Sequence, residues 1–166
     1  MKKLIAITLY FTLALHYPSV WADSPYSLNA IPVSVTLEDV QKAEAISEDN
    51  RPESAVNVIG ATTVNASDAK KLFDNHTLFI DVRRNNDWEA GHIPGAHHLF
   101  LDNDFTTENL QKIIPKKSTE MVIYCNGKKC LRSSAAVSLA VKWGYTNVSY
   151  FRDGFPAWVK YGNPIE

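Results

Sequence analysis

Cys125 and Cys130 are the only two cysteines of the chain, and they bracket Asn126-Gly127-Lys128-Lys129. The stretch from 125 to 132 carries three cations, Lys128, Lys129 and Arg132, and no acid. Met121 to Tyr124 is a fully apolar run that reads as a buried strand, and Leu131 to Trp143 reads as a helix. Cys125 therefore stands at a strand end and the following residues turn into a helix N-terminus. Backbone N–H groups in such a turn point inward, the helix dipole adds to them, and the loop becomes an anion cradle. Cations and a helix N-terminus bring a cysteine pKa from about 8.5 down to ~3.5–7.5, so Cys125 is expected as a nucleophilic thiolate beside an anion site. That pairing suits sulfur-atom transfer through a persulfide or phosphoryl transfer through a thiophosphate. The competing reading is a buried small hydrophobe at a strand end.

Cys130 has three readings: a structural residue on the far lip of the loop, a resolving thiol that closes an internal disulfide with Cys125, or half of a metal site. A bridge requires Cα atoms within about 7 Å, which the loop length permits. Metal is the poorest reading, because no further ligand pair lies nearby and His97-His98 falls on an expected strand, where one ring faces away. His76 and His92 read as turn residues, and Trp88, Trp143 and Trp158 as packing residues.

The elements that must hold this loop follow from residue 58 onward. Asn65 with Asp68 resembles a capping box ahead of a helix over Ala69 to Phe73. Thr77 to Val82 reads as a strand, and Asn85 or Asn86 as the cap of a short helix through Glu89, stopped by Gly91. His97 to Leu101 reads as a strand, Thr106 to Ile114 as a helix, Val148 to Phe151 as a strand, and a short helix lies around Pro156 to Val159. Apolar strands alternating with helices predict a doubly wound parallel sheet covered on both faces, with function at the carboxyl ends of the strands. Two places qualify, residues 81–84 and residues 125 onward.

The N-terminus reads as an export signal over residues 1–22. Lys2-Lys3 precede an apolar run from Leu4 to Leu15, and Val20-Trp21-Ala22 forms a cleavage site. The run is too short for a span of about 20 residues, so no membrane attachment is expected after cleavage. Losing these residues removes two of the 17 basic groups and none of the 18 acids, which takes the formal charge from −1 to −3. The expected compartment is an oxidising one, a bacterial periplasm. The sequons at Asn65, Asn75 and Asn147 read as chance, since Asn147 opens a core strand. Residues 23–56 form an extension with one helix over Leu37 to Glu48, packed against or tethered to the main domain. Hydrophobic residues at 45% and charged residues at 21% describe a globular chain, and no basic stripe accompanies the aromatics, which excludes a nucleic-acid platform.

From Val58 to Pro164 the chain resembles a rhodanese-type sulfurtransferase domain, which sets its expected bounds at 57–166. The resemblance rests on Ile80-Asp81-Val82-Arg83, Trp88 through Ala96, Val122-Ile123-Tyr124-Cys125 with its loop, Gly144 through Val148, and Asp153 through Trp158. It implies a doubly wound α/β fold with no cofactor. It also implies a Cys125 persulfide, with Asn126, Gly127, Lys128, Lys129, Cys130, Leu131 and Arg132 as the cradle. The implied donors resemble thiosulfate, and the acceptors are thiols or cyanide. Asp81, Arg83 and Glu89 match a framework motif in which Arg83 is expected to pair with Glu89. The chain departs from the family pattern in its C-x4-C-x-R-S loop. Cys130 stands where single-domain members carry arginine, and Leu131 stands where the related phosphatases carry theirs, which disfavours phosphatase chemistry. This extended loop resembles that of a subset of exported members. The alternatives are a thiol-disulfide redox protein using Cys125 and Cys130, or a sulfur-carrier module that docks on a periplasmic redox partner.

Overall fold

The computed structural model describes residues 35–166. Residues 1–34, with the expected signal peptide and the first part of the extension, lie outside the described residues. The strands are β1 Ala61–Thr63, β2 Leu78–Asp81, β3 His97–His98, β4 Met121–Tyr124 and β5 Val148–Phe151. They form one sheet in the order β1-β5-β4-β2-β3, and every pairing is parallel. Successive side chains of a strand face opposite ways, so a central strand covered on both sides must be apolar throughout. β4 meets that demand: Met121 and Ile123 join one apolar cluster, Val122 and Tyr124 the other.

The helices are α1 Leu37–Glu44, α2 Ala66–Asp74, α3 Asn85–Glu89, α4 Thr107–Ile113, α5 Leu131–Lys142 and α6 Gly154–Lys160. Leu110 of α4, Ala135 to Val137 and Ala140 of α5, and Val40 of α1 pack in one cluster. Ala69 of α2 and Trp158 of α6 pack in the other. The sheet is therefore covered on both faces, as the alternating pattern predicts.

Several boundaries differ from the sequence expectations for local reasons. α1 ends at Glu44 rather than Glu48, because the Arg51 guanidinium folds back onto the carbonyls of Glu44 and Ile46 and terminates the helix. Its start is a full capping box between Thr36 and Asp39. Asn65 does cap α2, but its bond from the Asp68 N–H is not returned, since the Asp68 carboxylate takes Lys71 instead. Arg84, not Asn85 or Asn86, is the N-cap of α3. β3 has two residues instead of five. The Leu99 N–H still bonds the Asp81 carbonyl of β2 at 2.9 Å, but beyond it the chain leaves the sheet edge, and Leu99 and Leu101 are buried in the core. β1, too short and too poor in apolar residues to stand out in the sequence, closes the opposite edge.

The described part of the extension, residues 35–56, is packed onto the domain. Val40 is buried against α5, a contribution of roughly 1.5 kcal/mol for an aliphatic side chain of that size. Ser54 is buried and bonded to Tyr150 on β5.

Candidate active site at the end of the fourth strand

β4 delivers Cys125 fully buried at its carboxyl end. Its carbonyl accepts from the Phe155 N–H at 2.9 Å, and Gly154, with φ +60, lies so close that a Cβ there would sit 2.1 Å from that oxygen. Only glycine permits this approach, so the start of α6 seals the back of the loop. Gly127 adopts φ +97 to turn the chain, and Cys130 N–H closes the turn on the Gly127 carbonyl at 2.9 Å. The N–H groups of Asn126, Gly127, Lys128 and Lys129 find no backbone or side-chain acceptor among the described residues. Unclaimed amides in the turn before the N-terminus of α5 are what an anion cradle requires.

Cys125 and Cys130 are joined as a disulfide, with Cα atoms 6.4 Å apart. Of the three sequence readings of Cys130, the pairing with Cys125 is the geometry present. Neither thiol is free, and Cys130 occupies the N-cap position of α5.

The loop cations do not stand alone. Lys128 faces Asp153 at 3.6 Å, and Lys129 donates to the Asp49 carbonyl at 2.6 Å. Arg132, 5% exposed, pairs with Glu44, which also holds Arg84 at 2.6 Å, and it lines one cavity with Asn126, Lys129 and Cys130 of the loop. Burial pushes the Arg132 guanidinium below the usual arginine value, while Glu44 and Asp102 pull in the opposite direction. The acid-free stretch of sequence thus meets carboxylates brought by α1 and by the turn before α6. The Ser54 N–H further bonds the Lys128 carbonyl at 2.7 Å, and Arg152 clasps Glu53 and the Ser54 carbonyl. Glu44, Asp49, Glu53, Ser54 and Arg152 were absent from the sequence expectation. No local spacing could reveal them, because each reaches the loop from a distant part of the chain. Leu131 is half-buried in the first turn of α5 and packs on the core.

The framework motif requires a correction. Arg83, expected to pair with Glu89, instead bonds Asp81 through Nε at 2.9 Å and Nη2 at 2.7 Å, and donates to the Gly91 carbonyl at 2.7 Å. Both partners are buried, whereas Glu89 is exposed. The reason is position: Asp81 ends β2 inside the domain, so its carboxylate requires an internal cation, while Glu89 on the short α3 reaches water. The guanidinium also lies 4.2 Å over the Phe155 ring, which links the motif to the segment that seals Cys125. Burial, with Asp81 nearby, pushes the Tyr124 phenol well above its ordinary value. Its oxygen accepts from the Ile93 N–H.

Trp88 stacks on His92 and His98, and the His98 Nε2 lies 2.9 Å from the Arg83 carbonyl. No group of three potential metal ligands occurs among the described residues. No described helix is long and apolar enough to cross a membrane.

A parallel α/β sheet with a cysteine at the end of its central strand, followed by a turn of unclaimed amides, defines a class of α/β proteins with a strand-end cysteine. The Rhodanese-like domain family matches residues 65–161, more than half of the chain, and the chain belongs to that family. Among similar proteins, the tRNA uridine(34) hydroxylase of Buchnera aphidicola is 30% identical over 103 residues, covering 57% of this chain and 31% of that protein. The chain thus spans less than a third of that relative. Thiosulfate sulfurtransferase GlpE of Pseudoalteromonas translucida is 29% identical over 98 residues, covering 58% of this chain and 88% of that protein. The rhodanese-like domain of a protein from Anabaena sp. superposes with a TM-score of 0.53 at 25% identity, covering 63% of this chain and 77% of the other.

Proposed function

We propose that this protein is an exported sulfurtransferase of the bacterial periplasm in which Cys125 carries sulfane sulfur. The observation that supports this most directly is Cys125 at the carboxyl end of β4 with four unclaimed loop amides beside it, in a chain of the rhodanese-like family. The cycle starts from the reduced pair. The Cys125 thiolate attacks the outer sulfur of a donor such as thiosulfate, the donor S–S bond breaks, and sulfite leaves with the electron pair. A thiolate or cyanide then attacks the terminal sulfur of the persulfide and regenerates the Cys125 thiolate. The amides of residues 126–129 hold the anionic sulfur, and Lys128 and Lys129 supply positive potential at the rim. Arg132, paired with Glu44 and lining the cavity beside Lys129 and Cys130, adds positive charge next to the loop.

Reduced protein incubated with thiosulfate is expected to gain about 32 Da, one sulfur atom, by intact mass. Cys125→Ser is expected to abolish the gain. No gain with any of several sulfane donors overturns the reading.

The disulfide favours a second reading, a thiol-disulfide redox protein in which Cys125 and Cys130 cycle between bridge and dithiol. It is expected to equilibrate reversibly with a glutathione redox buffer. A protein that loads sulfur on Cys125 while Cys130→Ser retains full turnover refutes it.

A further inference from the structure

The two ends of the disulfide differ in access. Cys125 is fully buried in the apolar cluster that includes α5, with the Gly154 backbone against its carbonyl. Cys130 is partly exposed and forms part of the wall of a cavity of about 220 Å³ that it shares with Arg51, Arg84, Lys129 and Arg132. As N-cap of α5, Cys130 makes no side-chain bond to the first-turn amides. Displacement at sulfur needs a nucleophile to reach one sulfur of the bond, so access selects which sulfur is attacked.

We infer that a small external thiolate bearing carboxylates opens the disulfide by attacking Cys130 from this cavity, leaving a mixed disulfide on Cys130 and expelling Cys125 as a thiolate. The incoming thiol has given its proton to solvent. One S–S bond forms as another breaks, and the electron pair of the broken bond leaves on Cys125 Sγ beside the loop amides. A second thiol later releases Cys130 by the same exchange. The carboxylate preference follows from unspent charge. Among the described residues Arg51 donates only to the carbonyls of Ile46 and Glu44, and Lys129 only to that of Asp49, so neither is neutralised there by a contacting carboxylate. The Arg132 Nε is buried without a hydrogen-bond partner among the described residues, and its Nη2, also without one, lies 3.9 Å from Asp102. Glu44 is taken by Arg84 and Arg132, and with Glu48 and Asp87 the cavity's three acids leave its four cations in excess by one. The inference rests on the reading of Cys125 as sulfur carrier in one respect: while Cys130 is capped it cannot attack a Cys125 persulfide, so opening from this side delivers Cys125 free to react.

The test uses the purified oxidised protein, glutathione as probe, acid quenching, alkylation by N-ethylmaleimide and trypsin. Cleavage after Lys128 and Lys129 puts the two cysteines on separate peptides. Glutathione is expected on Cys130 and maleimide on Cys125, about tenfold or more over the reverse arrangement. Glutathione mainly on Cys125, or equal labelling, overturns the inference. In a second arm, the ratio of opening rates with glutathione and with 2-mercaptoethanol is expected to fall severalfold with Arg51→Gln and with added salt. An unchanged ratio overturns the carboxylate preference. No sulfane donor is present, so failure of thiosulfate to load Cys125 leaves this result standing.

Discussion

Arg83 and Asp81 are 2% and 0% exposed, and the cost of desolvating each charge is met by the other together with the Gly91 carbonyl. Removing one member leaves a buried charge alone. Arg83→Ala is therefore expected to lower unfolding stability by about 3–5 kcal/mol, read as a lower midpoint in urea at unchanged slope. A variant as stable as the parent would mean that the pair carries no structural role. The sequence showed that both residues belong to one motif but misassigned the partner, because Glu89 and Asp81 are equally acidic in a string of letters. Burial distinguishes them, and burial depends on where β2 ends relative to the Gly91 turn. Cys125 and Cys130 were legible for the opposite reason, since their spacing, strand and helix are all local.

At the scale of elements, α1 is an integral wall of the site, held by Glu44 on Arg132 and Arg84 and by Val40 in the core. The Glu44–Arg84 contact is exposed on the arginine side and contributes little. The contact with buried Arg132 is the one that matters. Glu44→Ala is expected to cost about 3 kcal/mol in urea unfolding, and adding Arg132→Met to recover at least about half of it, because the buried charge left with only Asp102 at 3.9 Å is then gone. Equal loss in the single and double variants would refute the account. The helix itself was readable from its periodicity and its early acids, although its end was not. Arg51 stops it from seven residues further on, a contact that propensity does not register.

For the whole molecule, the two apolar layers determine how stability responds to alkali. Burial raises the phenol pKa of Tyr124, Tyr145 and Tyr150 above the ordinary value. The folded chain keeps these protons while unfolded phenols release theirs near pH ~10. Their contribution is thus fully present below about pH 10 and is lost as pH rises from there toward the raised folded values. These three tyrosines are expected to ionise only together with unfolding, observed as tyrosinate absorbance rising in step with loss of structure. Ionisation of all tyrosines in a protein that stays folded would contradict it.

By itself the sequence determined the alternation of strands and helices, the doubly wound parallel class, and the strand-loop-helix setting of Cys125 with Cys130 beside it. These are encoded in local periodicity and spacing, and neighbouring residues suffice to express them. Only the tertiary structure decided that the cationic loop is met by acids from α1 and the turn before α6, and that Arg132 pairs with Glu44. It also decided that Arg83 belongs to Asp81 and that the two cysteines differ in access. Each of these depends on which distant surfaces pack together and which charges packing removes from water, and neither is written in the spacing of any one segment.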